Sequence, residues 1–373
     1  GEAFYDAASP LRGLSLRALR ARQQVQRRFR QEHCVLSTRE FADEGLIGLA
    51  RAVQTAATTG DGTMDWYGRT YVLRGSDGID YTAVRAMLRS PILHSTAEHE
   101  MGHTLGLRHN FSGSYDALNY PPRYWALRND GEMRARPWDP ITQAEIDGRE
   151  REAQYSTVMD YGNNFVVTDA EGLGHYDVAA IKMGYGDLVE VFTDATDPLE
   201  LAWIYFQQLY GWPGPLTYDS FFEGNPVEAH HYTDIPAFAG GVAALESRAD
   251  VPYTSLVAQD SLRRDDGIDM PLVDAAGRPA VPYRFCSDEI SDISPDCMLY
   301  DAGADDYEAT QSIIDTYWHY YAFDSFRRER LGFDDYSHYD RGYWRYFSKL
   351  QSINQMYVFN RTFMSELFDD DLT

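Results

Sequence analysis

Residues 99–109 read His-Glu-Met-Gly-His-Thr-Leu-Gly-Leu-Arg-His, which fits the spacing H-E-x-x-H-x-x-G-x-x-H. On a helix, His99 and His103 project from one face a turn apart, so both imidazoles can hold one metal ion. Glu100 lies between them, and H-E-x-x-H is the arrangement in which such a glutamate acts as general base on a zinc-bound water. Gly106 can adopt the left-handed conformation that ends a helix, letting the chain turn back and bring His109 to the same ion. Three neutral nitrogens leave the fourth tetrahedral position open, which marks a catalytic rather than a structural zinc site. With 10 histidines and 29 glycines among 373 residues, the five fixed positions coincide by chance in on the order of 3 such chains in 10^5. Unrelated helix-surface histidines are therefore a poor account of the pattern. One zinc per chain is expected, on His99, His103 and His109.

Downstream comes Tyr155-Ser156-Thr157-Val158-Met159-Asp160-Tyr161-Gly162. Here the chain resembles the metzincin clan of zinc endopeptidases, in which the long histidine motif is followed by a tight Met-turn beneath the imidazoles. Met159 matches that methionine. Taken alone it reads as a core methionine filling an irregular gap, and only its place after the motif favours the turn. Tyr161 matches a tyrosine that some metzincins hold near the metal, where it ligates zinc or stabilises the oxyanion; the sequence leaves open where its phenol points. Gly174-His175-Tyr176-Asp177-Val178-Ala179-Ala180-Ile181-Lys182-Met183-Gly184-Tyr185-Gly186 resembles the closing helix of the clan, with Val178, Ile181 and Tyr185 spaced to share one buried face. His175 reads as a local cap or core residue, since three histidines already complete the protein's share of ligands.

Three further stretches are similar to the large bacterial Met-zincin family of exported metallopeptidases: His103 to Phe111, Phe41 to Ala50, and Tyr283-Arg284-Phe285-Cys286-Ser287-Asp288-Glu289. In that family a Gly-Glu segment belongs to the substrate-binding edge strand, and Gly1-Glu2-Ala3-Phe4 resembles it. The resemblance then implies that the chain opens inside the catalytic domain, without its first strands.

Hydrophobic residues make up 44% and charged residues 24%, a globular balance. There is no apolar run of transmembrane length. Net charge, 33 minus 58 or −25, disfavours nucleic acid as a partner. The basic island Arg12 to Arg30, seven arginines without an acid, reads as a solvated face of an amphipathic helix rather than a membrane or nucleic-acid surface. Cys286 and Cys297 can close a disulfide, with three reduced thiols as the alternative, and Cys34 is left over. The acids Asp288, Glu289, Asp292, Asp296 and Asp301 lack the spacing of a calcium loop and read as a solvated acidic turn.

Periodicity predicts helices over 14–32 and 38–57, the latter with Phe41, Leu46, Leu49 and Val53 on one side. Gly60-Asp61-Gly62 breaks the pattern, and Trp66 to Leu73 has strand content. Pro91 is expected to end or kink a helix, with a new one from about Ile92 carrying the motif. A short helix is expected near Ile141 to Glu152, loops over 190–300, and a helical pair from Tyr307 to Leu331 and Gly342 to Leu367.

The expected fold is α+β: a metzincin-like unit over residues 1–190, then a loop-rich and finally helical extension over 191–373. The expected reaction is hydrolysis of a peptide or protein substrate, with Glu100 as base and Tyr161 at the oxyanion, in a protein exported to the cell envelope or beyond. A gluzincin is disfavoured, because its third ligand is a carboxylate on a later helix. A zinc-binding scaffold, or an impaired fragment of a larger exported protein, is the alternative; retention of Glu100 speaks for activity. Oligomeric state and substrate preference are not legible.

Overall fold

The computed structural model describes residues 44–66, 68–128, 141–162, 172–194, 241–256, 273–291, 296–324, 339 and 342–368. The 14–32 helix with its basic island, the edge strand near Gly1, and Cys34 lie outside the described residues.

Helix α1, Glu44–Thr58, buries Leu49, Val53 and Ala57 on one face, the side its periodicity marked. It stops before Gly60, and Gly62 adopts φ +84° on the way into an antiparallel hairpin of β1, Thr63–Trp66, and β2, Arg69–Val72. The strand expected over Trp66 to Leu73 is thus the end of one strand and the whole of the next. A second small ladder pairs β3, Arg74–Gly75, with β4, Gly78–Ile79. Leu49, Val53, Ala57, Tyr71, Leu73 and Met87 close over one another as one core.

Helix α2, Tyr81–Thr104, starts at Asp80, whose carboxylate accepts from the N–H groups of Thr82 and Ala83. It passes through Pro91 as one element, so the break expected there does not occur. A proline removes one i→i−4 donor. The helix carries that loss because Met87, Ser95 and His99 are buried on both sides of it.

After the motif the chain runs through short turns to α3, Pro122–Leu127, and α4, Gln143–Gly148, which Thr142 and Glu145 cap reciprocally. Arg149, at φ 62°, ends α4, and residues Glu150–Ala153 continue as a 3-10 turn. The single helix expected near Ile141 to Glu152 is therefore two pieces. Helix α5, His175–Gly186, leads into β5, Leu188–Phe192. Helix α6, Val242–Glu246, precedes β6, Arg248–Pro252, which pairs antiparallel with β5. So the 190–300 region contains regular structure, and a division at 190/191 falls inside a paired strand. The core of Ala117, Leu118, Tyr120, Tyr124, Trp125, Ala153, Phe192, Leu245, Val281 and Ala304 likewise joins residues from both sides of that division.

The face expected from Val178, Ile181 and Tyr185 is not buried as such. Val178 and Ile181 are half-covered, Tyr185 is 72% exposed, and the fully buried residue of α5 is Asp177. The C-terminal pair is present as α7, Asp306–Asp324, and α8, Ser348–Phe368, packed through Ala309, Ile313 and Ile353, while residues 325–331 of the expected first helix lie outside the described residues. None of the described helices is long and apolar enough to cross a membrane.

Glu308 of α7 enters the earlier part of the chain, where its carboxylate meets Arg128 at 2.7 Å. Glu150 lies 3.3 Å from the same guanidinium. Burial first, then repulsion from Glu145, pushes the Glu150 carboxyl up to about 7. The folded chain then holds this proton more tightly than the unfolded one, so the linked stability is present at low pH and lost as pH rises through that value. Glu150→Gln removes the titration. Denaturant melts should show the native chain gaining on the variant by up to about 3 kcal/mol between about pH 8 and about pH 5. Parallel pH trends in the two proteins would contradict it.

Candidate metal centre

Helix α2 ends with Leu105, and Gly106 turns the chain at φ +89°. The Leu107 N–H then reaches back to the Gly102 carbonyl at 3.0 Å, a Schellman closure. No atom crowds a Cβ at Gly106, so the glycine is required by its backbone angle alone. This reversal brings His109 beside His99 and His103, and the ligand nitrogens of the three lie within 4.8 Å of one another.

Each ring is held through Nδ1. His99 Nδ1 is 2.7 Å from the Val158 carbonyl, His103 Nδ1 is 3.0 Å from the Leu107 carbonyl, and His109 Nδ1 is 2.9 Å from Asp288 Oδ1. A carbonyl can only accept, and so can an ionised carboxylate. In the neutral ring each Nδ1 therefore carries the proton and each Nε2 keeps its lone pair. Nε2 of His103 and Nε2 of His109 face each other at 3.2 Å. Two lone pairs at that distance repel unless a cation lies between them. Tetrahedral zinc with Zn–N bonds of 2.0–2.1 Å holds its nitrogens about 3.3–3.4 Å apart. The three imidazoles fit zinc.

Burial lowers the pKa of His99, with the Val158 bond opposing it, which favours the neutral ring a metal needs. Glu100 is exposed, and its charge acts on both His99 and Tyr161. The Tyr161 ring lies 4.6 Å from that of His109 and 5.5 Å from that of His99. Burial, then Tyr300 and nearby acids, raises its phenol pKa, so the hydroxyl keeps its proton at neutral pH. His175 sits apart at the start of α5, 3.5 Å from Glu246. Burial drops its pKa to about 4, so at neutral pH that contact is not ionic.

Met159 is fully buried beneath α2. A Cβ on Gly102 would stand 2.3 Å from Met159 Sδ, so the helix and the turn meet where a methyl would displace the buried methionine side chain. Asp177 ties the turn to α5. Its carboxylate accepts from the Thr157 hydroxyl at 2.5 Å, and from the N–H groups of Val158 and Gly174 at 2.8 Å each. Gly174 packs so closely that a Cβ there would be 2.0 Å from the Ser156 carbonyl oxygen. On the other side, Asp160 accepts from the Ser114 N–H at 2.8 Å.

The acidic turn expected at 288–301 is not simply solvated. Asp288 binds His109, Glu289 pairs with Arg108, and Asp301 is fully buried; Asp292 lies outside the described residues. The Cys286–Cys297 disulfide is formed. Gly102, Asp177 and Asp288 were not singled out from the sequence for this site. All three stand inside segments that carry the family resemblance, but nothing local marks Asp288 as a neighbour of His109.

Residues 84–120 match the family model described as Met-zincin. Over this segment the chain is similar to the Met-zincin family. The match covers most of α2, the three histidines and the turns that follow. Met159 lies beyond it and rests on packing instead. No curated protein and no solved structure matches the chain.

Two substitutions test the packing. Gly102→Ala should lower the melting temperature although alanine is the better helix former by about 0.5–1 kcal/mol, because the methyl meets a buried sulfur. Asp177→Asn puts an amide donor among three donors and should cost about 2–4 kcal/mol in denaturant unfolding. A neutral result in either would mean that the turn has room to adjust.

Proposed function

We propose that this chain is a zinc-dependent endopeptidase, with His99, His103 and His109 as the metal ligands and Glu100 as general base. The observation that carries the reading is the convergence of three Nε2 lone pairs, each set by an acceptor on the opposite ring nitrogen. The Met-zincin match over the same residues supports it. When bound, zinc supplies Lewis acidity toward water and the scissile carbonyl.

The protein's own groups carry the proton traffic. Glu100, exposed beside the ligands, takes a proton from the attacking water and returns it to the leaving amine. Tyr161, protonated and packed against His109, donates to the developing oxyanion. Met159 limits how the rings can shift from below. The substrate is a peptide or an unfolded protein segment. The Cys286–Cys297 disulfide supports an exported protein working in an oxidising compartment.

Metal analysis of the purified chain should find about one zinc, lost in His103→Ala. Glu100→Gln should keep the metal while hydrolysis of an unfolded protein falls by about 10^2-fold or more. Full zinc in both His99→Ala and His109→Ala would sink the ligand set. Zinc with no hydrolysis by the native chain would favour a binding scaffold.

A further inference from the structure

We propose that Asp288 is the positioning residue for His109, which makes the turn that follows Cys286 a structural part of the metal centre. This rests on the zinc reading above. His99 and His103 belong to α2, and both use backbone carbonyls to fix their rings. His109 lies past the Gly106 turn, outside the helix, and has neither advantage. Its ring is oriented instead by a side chain 179 residues further along, with both carboxylate oxygens of Asp288 near Nδ1, at 2.9 and 3.1 Å.

The placement of Asp288 is built rather than incidental. The Phe111 N–H donates to the Cys286 carbonyl at 2.7 Å, and the Cys286 N–H donates to Asn110 Oδ1 at 3.0 Å. The Asn110 amide donates to the Arg284 carbonyl at 2.9 Å, and the Ser112 hydroxyl to the Asp296 carbonyl at 2.7 Å. Every residue from 109 to 112 is thus bonded to the described residues of the 284–296 segment, whereas the Arg108–Glu289 pair is solvent-exposed on both sides and adds little to this frame. The disulfide, its two cysteines buried against Phe111, closes that segment two residues before Asp288. A carboxylate on Nδ1 fixes the tautomer and ring plane and raises the basicity of Nε2. The Asp288 side chain is 55% exposed, so its removal leaves little buried structure unsupported.

The test measures zinc affinity of the full chain by competition with a chromophoric chelator, beside thermal melting of the metal-free proteins. Asp288→Ala should weaken zinc binding by about 10- to 100-fold, with Asp288→Asn losing less because it keeps an acceptor oxygen. Glu289→Ala, on the same turn but bonded to Arg108, should stay within about twofold of the native chain. Metal-free native protein and Asp288→Ala should melt together. Unchanged affinity in Asp288→Ala, or an equal loss in Glu289→Ala, overturns the assignment. So does a metal-free melting temperature that falls in step with the zinc affinity, since that gives Asp288 a folding role instead. If the native chain takes up no zinc, both readings fall; if zinc is lost in His103→Ala but not in Asp288→Ala, this one alone does.

Discussion

The metal centre hangs on the two backbone polar groups of one residue, Val158. Val158 gives its N–H to Asp177 and offers its carbonyl to His99. The first bond fixes the turn to α5, and the second fixes a ligand ring to the turn. Because Val158 is buried, neither group has water as a substitute partner, so loss of either bond leaves an orphaned polar group at substantial cost. Three elements distant in sequence therefore share one residue. The close approaches at Gly102 and Gly174 follow from the same requirement, since the turn must lie near enough to both helices for those bonds to form.

The later half of the chain completes this arrangement from the side. Tyr300 donates its N–H to the Tyr161 carbonyl, and Gly162 and Asp301 form a parallel bridge. Phe111, Cys286 and Cys297 pack together next to Tyr161. The extension expected to follow a finished catalytic unit is interleaved with it, through β5 and β6 and through Glu308 beside Arg128.

A net charge of −25 leaves acids in the interior as well as on the surface. Burial pushes Asp116 up to about 6 and Glu152 up to about 7. Asp160 lies beside Asp301 and is raised well above its ordinary value, by burial first. Asp160 takes up a proton rather than bury full charge, and Asp116 and Glu152 do so as pH falls through those values, which limits the desolvation cost of so acidic a core.

How much of this was legible depends on whether the chemistry is local. The five motif positions encode a short-range geometry: a helical turn sets His99 against His103, and one glycine angle swings His109 back. Propensity and spacing suffice there, because every constraint lies within eleven residues. The buried face of Glu44–Thr58 and the helical character of the described parts of the C-terminal pair were legible for the same reason. Pro91 was misjudged because local rules price the lost hydrogen bond but not the packing on either side. The face of α5 was misjudged because its buried residue is an acid, which a hydrophobic pattern cannot flag. The sequence alone determined which three histidines could share a metal. Only the tertiary structure decided what holds each ring still, since Val158, Asp177 and Asp288 act across chain separations over which periodicity carries no information.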